Sequence, residues 1–291
     1  MTTVTMTGVD GQFWDLTDPT SPVQLVGGLG GLHLPASTSR WQTTARQSGR
    51  RWKDAVTDSR QFTMRVMVGD PAPPFRTGEA WRELDTRVWD NLRQDEAATL
   101  TVNGNRTLDF RLDDDNEMDF AKDPALSGKA VYDIACIADR PEWKGPPQST
   151  VFSFASTPGA DYYNGSSLGP PFVISAPALN RAAYVSNPGD LPTYPVWTIT
   201  GGASAVRVGV GDRVITIPFA IQPGQKVIID TAAATITSGY GDNLWQYMGS
   251  TVVDFAPLPP GDTLPIAIGM DSPSAEAQIQ VDLVPLYRRA W

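Results

Sequence analysis

Cysteine and histidine are almost missing from this 291-residue chain, which has one of each, Cys136 and His33. A single cysteine excludes an internal disulfide and any zinc site built on cysteine pairs. The lone His33 reads as a structural or surface residue. No run of about 18 apolar residues occurs, so no membrane span is expected. The first residues, Met-Thr-Thr-Val-Thr-Met, lack a basic stretch followed by an apolar one. No signal peptide is therefore expected, and the chain reads as soluble and made in the cytosol. Positive charge is also short: 23 Lys and Arg stand against 32 Asp and Glu, a formal charge of −9. Gripping nucleic acid needs clustered cations, so an acidic chain is a poor candidate for it.

What is present points to β structure. Hydrophobic residues make up 41% of the chain, enough for real cores, and Gly (26) and Pro (25) are both frequent. With few helical runs, that mixture predicts a mainly β architecture of many turns. The length suits one large or two medium domains. Residues 1–147 carry 17 Lys/Arg and 22 Asp/Glu, whereas residues 148–291 carry 6 and 10. The change falls at Trp143-Lys-Gly-Pro-Pro-Gln-Ser, a linker-like segment. Two domains are expected, 1–147 and 148–291.

In the first, residues 12–16 and 23–26 read as short strands, and Gly27-Gly-Leu-Gly-Gly31 as a flexible connection. That glycine run lacks dinucleotide-loop spacing, because His33 stands where the third glycine belongs. Residues 61–68 alternate as a strand, with Phe62, Met64, Val66 and Val68 on one face. The one good helix follows, with Thr77 as its expected cap and Trp81, Leu84, Val88 and Leu92 on one face. A hairpin over residues 99–112 has two possible turns. A two-residue Asn103-Gly104 turn would put Leu108 and Phe110 on the wrong face. A three-residue loop pairs Leu100 with Leu108 and Ala98 with Phe110, and burial favours it. Residues 130–138 form the last strand, closed by Asp139-Arg-Pro-Glu-Trp143.

The second domain reads as strands throughout. Asn187-Pro188-Gly189 is a turn, and Tyr194-Pro195 introduces a strand over residues 196–200 that ends at Gly201. Gly211-Asp212 turns a hairpin that sets Val208 against Ile215 and Val206 against Ile217. Residues 226–230, 235–237, 264–268 and 277–286 supply further strands, with Leu258-Pro259-Pro260-Gly261-Asp262 as a turn. Short strands at about ten-residue intervals with Gly/Pro turns predict a sandwich.

No catalytic constellation survives inspection. Gly165-Ser-Ser167-Leu-Gly169 matches a nucleophile-elbow pattern, but Pro170-Pro171 denies the helix it needs. The acidic run Asp113, Asp114, Asp115, Glu117, Asp119 lacks the glycine and terminal glutamate of a calcium loop, and reads as solvated. Neither cofactor nor metal is expected.

Several of these motifs, in order, resemble siphophage distal tail proteins of the actinobacteriophage type. They are Asn187-Pro188-Gly189, Tyr194-Pro195 with its strand to Gly201, the Gly211-Asp212 hairpin, Val227-Ile-Ile-Asp230 and Leu258-Pro-Pro260-Gly261. Asp139-Arg-Pro141 with Trp143 is similar to that family's domain junction. The resemblance implies a β-rich, ring-forming N-terminal domain with one helix and a galectin-like C-terminal sandwich. It implies a structural virion protein at the tail tip, six copies joining the tail tube to the baseplate. Its partners would be the tail tube protein, the tape measure protein and the tail-associated hub protein. DNA would pass through the ring without being held, and Asn103 with the run 113–119 could rim that channel. The competing reading is a carbohydrate-binding tail-tip module for a host-surface glycan, with exposed tryptophans as the stacking platform. The absence of histidine from the second domain weighs against a galectin-type sugar site.

Overall fold

The computed structural model describes residues 2–27, 30–46, 48–114, 116, 120, 122–154, 183–249 and 253–291. Backbone contacts divide it into two compact units: Met1–Gly145 with Tyr287–Trp291, and Pro146–Leu286. Residues 287–291, read in the sequence as the end of the second domain, thus return to the first unit.

The first unit contains β1 (Val4–Thr7), β2 (Phe13–Asp15), β3 (Val23–Leu25), β4 (Ser37–Gln42), β5 (Arg51–Thr57), β6 (Arg60–Gly69), α1 (Glu79–Asp90), β7 (Ala98–Val102), β8 (Arg106–Leu112), α2 (Pro124–Ser127), β9 (Lys129–Ala138) and β10 (Trp143–Lys144). Its main sheet runs β2-β1-β7-β8-β9-β6-β3, with β10 joined to β8. The two ends of that sheet approach each other, since the Leu25 N–H donates to the Leu16 carbonyl at 2.8 Å and the Leu16 N–H to that of Val4. The result is a nearly closed barrel. Its longest ladder pairs β6 with β9 over ten residues, with inward positions Phe62, Met64, Val66, Tyr132, Ile134 and Cys136. The pattern is strict alternation, one face buried and the other wet.

The β7–β8 hairpin turns through Asn103, Gly104 and Asn105 and pairs Leu100 with Leu108 and Ala98 with Phe110, as burial dictates. Helix α1 buries Trp81, Leu84 and Val88 against the sheet, and the Trp81 indole donates to the Val68 carbonyl. Its cap is Gly78 and not Thr77, with no side-chain hydrogen bond at the N-terminus. The short α2 was not anticipated. Its Asp123 cap, Pro124 at the first position and left-handed Gly128 define it, but four residues show no helical periodicity.

The second unit comprises β11 (Gln148–Ser153), β12 (Ala183–Ser186), β13 (Val196–Thr200), β14 (Ala205–Val210), β15 (Arg213–Ile217), β16 (Lys226–Asp230), β17 (Thr235–Ser238), β18 (Thr263–Asp271) and β19 (Gln278–Leu283), while β20 (Leu286–Tyr287) carries the chain back and pairs with β10. Two sheets, β11-β19-β13-β16-β17 and β12-β18-β14-β15, share one core. Trp197, Ile199, Ile229 and Ile279 come from the first sheet and Val206, Val208, Ile217 and Ile268 from the second. This is a β-sandwich. The β14–β15 register sets Val208 against Ile215 and Val206 against Ile217.

Candidate functional site

Asn187 is a buried polar side chain of the second unit held by three hydrogen bonds. It is fully buried, and its amide donates to the carbonyls of Leu191 (2.8 Å) and Leu258 (3.1 Å) while Oδ1 accepts from the Gly189 N–H at 2.9 Å. Its backbone completes the tie: Asn187 N–H donates to Asp262, and Gly261 N–H donates to Asn187. Two turn motifs distant in sequence, 187–191 and 258–262, are therefore one hydrogen-bonded knot. Pro188 fits the first turn and Pro260 the second, where Gly261 takes a φ of 71°. A Cβ on Gly189 would come within 2.5 Å of the Leu286 carbonyl oxygen, so only glycine fits. Tyr194 is partly exposed beside the knot, and the Pro195 carbonyl accepts from the Thr231 hydroxyl. Gly211 and Asp212 form the two-residue β14–β15 turn, and the Gly211 N–H donates to Pro265.

In the first unit the corresponding tie is Arg60, which the sequence reading missed. It is 1% exposed, and its guanidinium donates to the carbonyls of Pro141 (2.8 Å), Gly31 (2.9 Å) and Arg288 (2.8 Å). Burial pulls its pKa below the usual arginine value, and the Glu142 charge opposes that. Trp143 is buried beside it and donates to the Leu32 carbonyl. One cation thus holds the glycine segment, the end of β9 and the returning C-terminal segment together.

The acidic run and Asn103 are not brought together. Asn103 sits at the β7–β8 turn, where its Oδ1 accepts from Thr3, while Asp113 follows the far end of β8. Seven strand residues at about 3.4 Å each separate the two by roughly 24 Å. Asn116 pins the run to β9 by two-way hydrogen bonding with Ala135, and Asp114 accepts from Gln94. Asp115, Glu117 and Asp119 lie outside the described residues, as does the 165–169 motif. Among the described residues no group of three or more His, Cys, Asp or Glu could hold a metal. Cys136 is buried and burial raises its thiol pKa strongly, which leaves it unreactive. Tyr132 donates to Asp85 at 2.5 Å, and burial raises the pKa of both groups.

Two surface features remain. A cleft of about 420 Å³ in the second unit lies among Phe219, Lys226, Ser238, Tyr240, Asp242 and Tyr247, with Tyr240 97% exposed. In the first unit, β4 and β5 form a separate two-stranded sheet that pairs only with itself among the described residues.

A barrel-like β unit and a β-sandwich define a mainly β fold of two units. Within that class the chain has the fold of phage tail-hub and baseplate proteins. Dit (gp 19.1) of phage SPP1, a paradigm of the hub adsorption apparatus in phages infecting Gram-positive bacteria, matches with a TM-score of 0.65 and 15% identity over 97% of this chain and 98% of that one. Structures of the phage P2 baseplate in its activated conformation, with Ca and with Sr, match with a TM-score of 0.51 at 13% and 12% identity over the same shares. No family model and no curated relative matches the sequence.

Proposed function

We propose that this protein is a distal tail hub of a long non-contractile-tailed phage, located at the tail tip and working by assembly rather than catalysis. One observation carries the reading: the likeness to the SPP1 hub runs from end to end of both chains, across both units. The first unit is then the ring-forming domain and the second a galectin-like sandwich. Six copies close a ring between the tail tube protein and the baseplate, against the tape measure protein and the tail-associated hub protein. Cyclic closure prevents open-ended polymerisation. DNA crosses the ring without being held, because like charge opposes phosphate binding. Either Asn103 or the acidic run, at opposite ends of β8, faces the channel mouth. Reconstruction of the virion tail tip tests all of this. A closed six-fold ring of this chain is the expected result, and an unclosed, peripheral position or a lumen lined with Arg40, Arg46, Arg50 and Arg51 refutes it.

Glycan binding is the second reading, and the cleft beside Tyr240 and Tyr247 favours it, since exposed aromatics next to polar groups suit sugar stacking. A galectin-type site needs a histidine that the second unit does not contain. A glycan-array screen of the full chain decides between the two, and the expected result is no specific binding.

A further inference from the structure

The β4–β5 hairpin is out of keeping with the rest of the first unit. Every described residue from 36 to 59 is exposed, whereas each neighbouring strand buries one face. Hydrogen bonds at its base, Asp58 N–H to the Ala36 carbonyl and the Thr38 hydroxyl to the Asp58 carboxylate, close it on itself. A two-stranded hairpin with nothing packed on either face is marginal in water. Such an element is stable only when something covers it.

Its surface chemistry indicates what does. Trp41 stands directly opposite Trp52 in the ladder, so both indoles share one face, and they are 48% and 55% exposed. The Arg50 guanidinium lies 5.3 Å from the Trp41 ring centre. Paired exposed tryptophans beside arginine are the side chains that dominate protein interfaces. Charge narrows the partner. Residues 37–57 hold Arg40, Arg46, Arg50, Arg51 and Lys53 against Asp54 alone, a net +4. Everything else in the chain therefore carries −13. Arg40 faces Asp54 at 3.7 Å, but Arg46, Arg51 and Lys53 form no ion pair among the described residues. On the same unit, Asp10, Glu79, Glu83 and Asp90 outnumber Arg82 and Arg87 around a depression of about 440 Å³ beside α1, and none of the four carboxylates forms an ion pair among the described residues. A net basic arm and a net acidic surface on one polypeptide complement each other between copies.

We propose that the β4–β5 hairpin is the arm by which one copy grips the acidic first unit of a second copy, with Trp41 and Trp52 as the desolvated centre of the contact and the cations around them setting its orientation. This rests on the reading of the protein as a ring-forming hub and adds the residues that hold neighbours together.

The test places the photo-crosslinker p-benzoylphenylalanine at position 41 of the full chain, in concentrated protein and in assembled tails, and maps the products by mass spectrometry. The expected product joins residue 41 of one copy to a peptide within residues 1–145 of another. A crosslink to a different tail protein, to nucleic acid or to residues 146–286, or no crosslink between copies, overturns the proposal. Two full-chain variants give a second readout, W41S/W52S and R46E/R51E/K53E. Because none of these side chains is buried, both should melt with the parent, while association between copies weakens by about tenfold or more. Unchanged association in both overturns the proposal. A closed ring with its hairpins free would sink the arm and leave the hub reading intact, whereas a virion tail without this chain would sink the hub reading itself.

Discussion

Arg60 and Asp85 are two ionisable side chains that burial perturbs, and they make different predictions. Arg60 gives its donors to three carbonyls in a dry setting, so Arg60→Met strips a charged donor from all three. The expected loss is about 3 kcal/mol or more, read from denaturant unfolding of the first unit. Arg60→Lys should recover only part of it, because one ammonium cannot span the planar fork that reaches Gly31, Pro141 and Arg288. Asp85 behaves differently. Burial raises its pKa, with the hydrogen bonds from Tyr132 and Trp89 opposing that rise. A raised carboxyl pKa means that the folded state binds the proton more tightly than the unfolded chain. Asp85 therefore makes stability fall as pH rises from the ordinary carboxylate value through its folded pKa. Asp85→Asn keeps an acceptor for the Tyr132 hydroxyl and removes that dependence. Melting temperatures measured across the acidic range should rise for the variant relative to the parent as pH increases, and parallel curves would refute the assignment.

At the scale of elements, local pattern and long-range closure separate cleanly. The strands β13 and β16 appear in the sequence with their observed bounds, because alternation within five residues and flanking Gly or Pro are local facts. The β7–β8 loop length was legible for the same reason: only one register buries both Leu108 and Phe110. The β4–β5 hairpin was not legible, since a strand with no buried face has no alternation to read. The turns around Asn187 were visible singly, but their union was not, because Leu258 is 71 residues away and only folding makes it a neighbour. That union gives the element-scale prediction. Asn187→Ala would leave the Leu191 and Leu258 carbonyls and the Gly189 N–H without their partner in a buried site. A cost of about 2–4 kcal/mol is expected. It should appear in the second unit alone, and hydrogen exchange should rise at residues 187–191 and 258–262 together. Exchange that rises at only one of the two turns would show that they are not coupled.

At the scale of the molecule, the first unit is discontinuous in sequence. Its last part, Tyr287–Trp291, contributes the Arg288 carbonyl to Arg60, the buried Ala290, and Tyr287, whose ring packs under the Arg106 guanidinium. The linear charge profile placed the division near residue 147 but carried no signal for this return, because five residues are too few to show a composition of their own. Deleting residues 287–291 should therefore lower the stability of the first unit, more than 140 residues away in sequence, and leave the second unchanged. Calorimetry or limited proteolysis of the two units checks this, and a loss confined to the second unit would contradict it. The same topology sets an order of events in the cell. At ordinary rates of synthesis, about 140 residues take roughly 7–30 s to make, and through that interval β1 to β10 exist without the segment that completes them. The second unit is continuous and can fold as it emerges. The first unit cannot complete until residues 287–291 have been made, so a chain that stops before them leaves Arg60 short of one of its three carbonyl partners.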